Sequence, residues 1–239
     1  MWLLSNNVFV KESGLLEGFC DYHCHLLPGV DDGIQETEET LEVLSLWEEA
    51  GVKEVWLTPH IMEDVPNKTA ILAQQYAELM VNYQGTVELH LAAENMMDHL
   101  FLERLDKRDL LPIGKVGAHL LVETSYYNPP MGMERIIDCI KENGYVPILA
   151  HPERYQYMGS EDYEKWKQRG ALLQLNLPSL VGAYGLEVQR KAERLLNKGM
   201  YDFCGTDTHT RKFAEIFLNS KLKKKIALVV KRIIEAQQL

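Results

Sequence analysis

The chain has 239 residues, 46% hydrophobic and 25% charged, the balance of an ordinary globular protein, which excludes a disordered or fibrous chain. Thirty-five acidic against 25 basic residues leave a net charge of −10, and this disfavours a broadly nucleic-acid-binding surface, which needs clustered Lys and Arg. No run reaches the roughly 18 apolar residues of a membrane span, and Met1-Trp2-Leu3-Leu4-Ser5 lacks the basic start of a secretory leader, so a cytoplasmic protein is expected.

In chain order, a short strand is expected over 20–23. A helix over 37–50 follows, with an apolar stripe of Leu41, Leu44, Leu46 and Trp47 and Glu36, Glu38 and Glu39 at its start, where the helix dipole favours them. Next come a strand over 55–57, a helix over about 68–83 and a strand over 87–91. A strand over 118–122 precedes a helix over 131–142 that Gly144 closes. The alternation continues with a strand over 146–149, a helix over 160–169 and a strand over 171–175. A helix over 185–198 ends at Gly199, and a strand over 201–204 closes the series. Strands alternating with helices imply parallel pairing through right-handed crossovers. About seven such units suit a closed or nearly closed β/α barrel. A doubly wound open sheet is the weaker fit, because no glycine-rich phosphate fingerprint follows the first strand. Residues 221–233 read as a basic amphipathic helix, with Leu222, Ile226, Val229 and Ile233 at helical spacing. Packing on the barrel with a solvated basic face is preferred there to membrane-surface or acidic-tail docking.

The residues that follow the strands carry the chemistry. His23 and His25 stand two apart at the end of the first strand, which puts both side chains on one side. Asp31 and Asp32 follow in the next loop, His60 follows the second strand, Glu94 the third and Glu123 the fourth. His151 ends the fifth strand, and Asp207 and His209, again two apart, end the last. In a parallel barrel those strand ends share one rim, where active sites are built. Imidazoles and carboxylates crowded there would be frustrated alone and settled by two or three divalent cations. His and carboxylate donors without thiolates favour Zn, Mn or Fe over Mg, which prefers an all-oxygen shell. His90, His99 and His119 lie within strands or at a helix start and are read as ordinary surface or core residues. The four cysteines form no C-x-x-C pair and are read as reduced, packed thiols.

Asp21-Tyr22-His23-Cys24-His25, Val30-Asp31-Asp32-Gly33, Thr58-Pro59-His60, Ala93-Glu94, Val122-Glu123, His151-Pro152-Glu153-Arg154-Tyr155 and Thr206-Asp207-Thr208-His209 resemble the polymerase and histidinol phosphatase (PHP) superfamily. More narrowly, they resemble its bacterial metal-dependent protein tyrosine phosphatases of capsule and exopolysaccharide operons. The resemblance spans about residues 19–211 and implies a single-domain, distorted seven-unit β/α barrel over 19–239, with 1–18 as an N-terminal arm outside the family pattern. It implies three divalent ions, manganese ahead of iron or zinc. His23, His25, Glu94 and Asp207 would hold the first, with Glu94 bridging to a second completed by Glu123 and His151. Asp32, His60 and His209 would hold the third, and Asp31 matches no ligand. Arg154 matches the family's phosphate-binding arginine. Arg211 is the nearest match to a second catalytic arginine, which in the family lies further beyond the D-x-H motif.

The reaction expected is hydrolysis of phosphotyrosine by a metal-bridging hydroxide, with Arg154 giving the phosphoryl group a bidentate contact. The substrate the resemblance implies is a phosphotyrosine protein, the tail of a bacterial tyrosine kinase that controls polysaccharide export. Tyr126, Tyr127 and Tyr155, beside Glu123 and Arg154, are candidates to wall in an aromatic substrate. A thiol phosphatase needs C-x5-R, whereas six residues separate Cys204 from Arg211. The alternatives are a small-molecule phosphatase of the histidinol-phosphate kind, a non-catalytic metal-stabilised binding module, and a nuclease, which the acidic balance opposes.

Overall fold

The apolar runs of the chain form parallel strands, and alternation along each run sorts its residues onto two faces. In the computed structural model, which describes residues 6–237, the elements begin with β1 (Asn7–Phe9), β2 (Cys20–Cys24), α1 (Thr37–Glu49), β3 (Glu54–Leu57), β4 (His60–Ile61) and α2 (Thr69–Asn82). They continue with β5 (Glu88–Leu91), β6 (Glu94–Met96), α3 (His99–Lys107), β7 (His119–Glu123), α4 (Met133–Glu142), β8 (Val146–Leu149) and α5 (Ser160–Gln168). The last are β9 (Leu172–Asn176), α6 (Leu186–Asn197), β10 (Phe203–Gly205), α7 (Arg211–Leu218), β11 (Lys221–Lys223) and α8 (Lys224–Ala236).

Six parallel strands pair in the order β10-β9-β8-β7-β6-β4, and three more in the order β2-β3-β5. The two sheets meet where Asp207 N–H donates to His23 O at 2.7 Å and His25 N–H to Thr208 O at 2.9 Å. The result is a curled, barrel-like parallel wall with helices outside. Tyr22, Trp56, Leu121, Ile148 and Phe203 pack together on its inner face. Val55, Leu57, Leu120, Val122, Leu173 and Leu175 point outward into the larger core beneath the helices, against Trp47, Leu72, Ile137, Ile140 and Leu196.

One irregularity sets the site. On β2, Asp21 pairs with Val55 and Cys24 with Leu57, so three steps on one strand oppose two on its neighbour. This bulge turns the strand between Tyr22, in the inner cluster, and Cys24, in the outer one, and so re-aims His23 and His25.

The helices expected from periodicity form within a few residues of their predicted ends, and several short elements differ. β4 and β6 are two- and three-residue strands, too short to show a periodicity; α3 opens at His99, where a helix start was expected, and α7 has no counterpart in the sequence reading. Lys221–Lys223, read as the start of the basic helix, instead form a strand antiparallel to Asn7–Phe9; only this distant partner decides its state. The expected N-terminal arm is described from Asn6, its first five residues lying outside the described range. Val10, Leu15 and Leu16 of that arm are buried in the outer core. No described helix is long and apolar enough to cross a membrane.

Candidate metal centre

The ends of β2, β4, β6, β7, β8 and β10 bring nine donors together. His23 Nε2 lies 3.2 Å from Glu94 Oε2 and 3.5 Å from Asp207 Oδ1, and His25 Nε2 lies 3.3 and 3.5 Å from the same atoms. His151 Nε2 stands 3.0 Å from Glu94 Oε1. His60 Nδ1 is 2.9 Å from Glu123 Oε1 and 3.2 Å from Glu94 Oε2, while its Nε2 faces Asp32 Oδ1 at 3.5 Å. His209 Nε2 faces that same oxygen at 3.5 Å. Asp32 is 72% exposed at the mouth, whereas His23, His25 and Glu94 are fully buried. Metal-compatible groupings form around His23, His25 and Asp207, and around His25, Asp32, His60 and His209. Glu94 belongs to two more, one with His23 and His151 and one with His60 and Glu123. Where the resemblance implies a single second position with Glu94, Glu123 and His151, the donors divide between these two groupings.

The donor set fits divalent cations. His23 Nδ1 meets Gln174 Oε1 at 3.1 Å, an oxygen that also accepts His151 N–H. His25 Nδ1 meets Asp31 Oδ2 at 2.7 Å, and His209 Nδ1 meets the Asp207 carbonyl at 2.8 Å. Each contact calls for a proton on Nδ1 and leaves the Nε2 lone pair facing the cluster. His23 Nε2 and His25 Nε2 then confront each other at 3.2 Å. Both carboxylate oxygens of Glu94, Oε1 of Glu123 and Oδ1 of Asp207 are buried and accept no hydrogen bond. Orphaned oxygens and lone pairs aimed at common points are what a cation satisfies.

The electrostatics tell the same story. Burial opposes charge on His23, yet Glu94 and Asp207 outweigh it and lift its pKa to about 9. His60 rises to about 10 against its burial, through Glu123 and Glu94. Glu123 is pushed up to about 7, by burial first and the Glu94 charge second. His151 is driven down to about 4 by burial and the nearby Arg154. Neighbouring groups pulled in opposite directions mark functional clefts. Two donors also stand in left-handed backbone, His151 at φ 32° and Asp207 at φ 52°, a conformation disfavoured for residues other than glycine.

Arg154 lies at the edge of the cluster. One of its terminal nitrogens donates to Asp207 Oδ2 at 2.6 Å, and its guanidinium is sandwiched between the rings of Tyr126 and Tyr184, at 4.4 and 4.3 Å. Tyr126 thus meets the site through Arg154 and through the His151 ring, 5.8 Å away between centroids. Tyr127 is 66% exposed, and Tyr155 is fully buried, its hydroxyl accepting Thr124 N–H at 3.2 Å. Tyr155 therefore braces the wall and offers no surface to a substrate. Arg211 lies outside the cluster, on the exterior, paired with Glu42 at 2.8 Å and Glu215 at 2.9 Å. His99 is exposed beside Glu103. His90 stacks on Trp56 at 4.4 Å, and His119 meets the edge of Phe203. Cys24 and Cys204 are buried, and burial pushes both thiols upward, away from thiolate.

Sequence reasoning missed several supporting residues. Asp31, left without a role, orients His25 and also accepts His60 N–H at 2.9 Å. Gln174 orients His23, and Asn176 donates to Asp207 Oδ2 at 2.8 Å. Gln174 and Asn176 repeat the two-apart spacing of His23 and His25 at the end of an apolar run, a signal that was available. Tyr184, in an irregular loop, had none.

Comparison with known proteins bears on this site. The sequence profile of the family described as capsular polysaccharide synthesis, CpsB/CapC, matches residues 19–237. The chain is 26% identical over 200 residues to tyrosine-protein phosphatase YwqE of Bacillus subtilis (strain 168), covering 80% of this chain and 78% of that protein. It is 25% identical over 206 residues to tyrosine-protein phosphatase CpsB of Streptococcus pneumoniae, covering 79% and 82%. The fold superposes with a TM-score of 0.74 and 24% identity, over 88% of this chain and 85% of the other, on a crystal structure from work on YwqE and CpsB, described there as unique metal-dependent tyrosine phosphatases.

Proposed function

Because this chain belongs to the CpsB/CapC capsular polysaccharide synthesis family, we propose that it is a metal-dependent protein tyrosine phosphatase. In this reading it acts in the cytoplasm on a phosphotyrosine protein, the tail of a bacterial tyrosine kinase that regulates capsule or exopolysaccharide synthesis. The observation that carries the reading is the meeting of His23, His25, Asp32, His60, Glu94, Glu123, His151, Asp207 and His209, with orphaned carboxylate oxygens among them, beside an arginine. Those nine would hold three divalent ions, manganese foremost. Bound, such ions supply Lewis acidity, which readies water near neutral pH and neutralises phosphoryl oxygens. In the same reading the wall counts seven β/α units, with β3 and β4, and β5 and β6, each taken as one interrupted strand, and residues 1–18 as an arm laid against it.

The chain's own contribution is orientation and charge. Gln174 and Asp31 fix the rings of His23 and His25. Arg154, held flat between two phenol rings, presents a planar pair of donors that matches phosphoryl oxygens as a lysine could not. Its present ion pair with Asp207 keeps it charged and near the cluster. Tyrosine leaves as a phenolate whose conjugate acid has a pKa near ~10, so no strong general acid is required.

The test pairs elemental analysis of freshly purified protein with turnover of a phosphotyrosyl peptide and of histidinol phosphate. Manganese-supported hydrolysis of the peptide is expected. A large preference for histidinol phosphate would reverse the substrate class, and no turnover with any divalent ion would leave a binding module.

A further inference from the structure

Two surface hollows run into one another, and the first begins at Arg154 at the edge of the metal cluster. One, of about 380 Å³, is lined by Arg154, Tyr184, Glu187, Lys191 and Arg194. The other, of about 270 Å³, is lined by Ser160, Tyr163, Lys191, Arg194 and Lys198. Lys191, Arg194 and Met158 belong to both, so the two make one trough from Arg154 along α6 toward the start of α5.

The charges in it run against the rest of the molecule, whose net charge is −10. Lys191, Arg194 and Lys198 fall at successive turns of one helix edge, spanning about 10 Å at ~1.5 Å per residue. Of the acids nearby, Glu153 is buried and accepts from Asn176 N–H, Ser179 Oγ and Tyr201 Oη. Glu164 pairs loosely with Lys198 at 3.5 Å, and Glu187 is exposed at the start of α6. Arg194 is exposed, and its side chain has no hydrogen bond or ion pair among the described residues. Lys191 donates to the Tyr155 carbonyl, and burial and the like charge of Arg194 both act against its ammonium. Glu153, Glu187 and Asp162 offset part of this charge at Lys191, yet Arg154, Lys191, Arg194 and Lys198 outnumber the exposed carboxylate of the lining, Glu187, and such an excess favours an anion.

We propose that this trough binds the polypeptide flanking the phosphotyrosine and selects acidic side chains there. An extended peptide advances about 3.3 Å per residue, so the span from Lys191 to Lys198 matches about three residues of such a peptide. The inference rests on the phosphatase reading for the location of the phosphotyrosine, and Lys191, Arg194 and Lys198 are not among the nine metal donors.

The experiment uses the metal-loaded full chain and pairs of phosphotyrosyl peptides carrying either Glu or Gln at the positions flanking the phosphotyrosine on each side. The wild type should favour the acidic peptide by about five- to tenfold in kcat/KM, the scale of two or three exposed ion pairs. The difference should lie in KM and shrink with salt. Arg194→Glu combined with Lys198→Glu should abolish or invert that preference, and Arg194→Lys should retain it. Binding is read in parallel by fluorescence anisotropy with the same peptides carrying a non-hydrolysable phosphotyrosine analogue. Equal handling of acidic and neutral peptides by the wild type, or a preference that survives the double charge reversal, overturns the proposal. Acid-selective binding without turnover of any phosphotyrosyl peptide keeps the trough and overturns the phosphatase reading instead.

Discussion

Leu121 and Glu123 stand two residues apart on the same face of β7, and they are 1% and 2% exposed. The lower one is complete: it packs with Tyr22, Trp56, Ile148 and Phe203, and needs nothing the chain does not supply. The upper one has a buried oxygen without a hydrogen bond, and burial and the Glu94 charge raise its pKa. Burial is the same at the two levels of the wall, and its consequence is opposite. An apolar layer is stabilised by exclusion of water, whereas a polar layer equally dry stays frustrated until an external charge arrives.

The sharpest way to break this contrast is to disable the upper level alone. Glu94→Gln removes the charge that the histidines share and should lower phosphotyrosine turnover by about 10³-fold or more, because in the proposed reading several kcal/mol of transition-state stabilisation would come from the ions. Elemental analysis should show metal lost in parallel, and full metal content in that variant would contradict the assignment. Arg154→Ala should cost about 10²- to 10³-fold in turnover, the scale of one preorganised donor, with metal content unchanged; loss of metal there would make Arg154 structural. At the lower level, Leu121→Ala should destabilise the fold by about 2–5 kcal/mol in denaturant titrations, and leave turnover per folded molecule intact.

A pH series on chelated protein sharpens the contrast further. The folded pKa values of His23 and His60, about 9 and about 10, exceed the ~6.5 of an unfolded histidine. The stability they contribute is therefore complete below about pH 6.5 and disappears as pH climbs through those folded values. Glu123, raised to about 7 from the ~4.3 of an unfolded glutamate, also loses stability as pH rises, but earlier, between about pH 4 and 7. The melting temperature of chelated protein should fall between about pH 7 and 10. Metal-loaded protein should hold, because its ligands are already deprotonated. The smallest effect concerns the thiols: iodoacetamide should leave turnover unchanged, because Cys24 and Cys204 are buried and their thiols are held protonated. Rapid inactivation would reopen a cysteine mechanism.

The upper level was legible because each donor interrupts or ends an apolar run, so His60, Glu94, Glu123 and His151 could be placed at strand ends by alternation alone. The bulge in β2 was not legible, since it depends on how Asp21 and Cys24 register against Val55 and Leu57. The Tyr184 ring against Arg154 is likewise a meeting of two loops thirty positions apart in the chain. Lys221–Lys223 carry a helical apolar pattern, and become a strand only because Asn7–Phe9 lie alongside. Local pattern reports burial and period; it does not report which distant segment will supply a partner.

His151 and Asp207 hold left-handed backbone at φ 32° and 52°, which costs roughly 1–2 kcal/mol at each L-residue. The polypeptide tolerates two awkward backbone conformations where two donors are aimed; hydrogen bonds to Asp207 offset part of that tension, and in the proposed reading bound ions would offset more by mass action. Starvation for transition metal should thus shorten the lifetime of this protein as well as silence it, since proteases draw on the unfolded fraction. Its abundance would then serve as a gauge of ion supply, readable by pulse-chase with and without a permeant chelator.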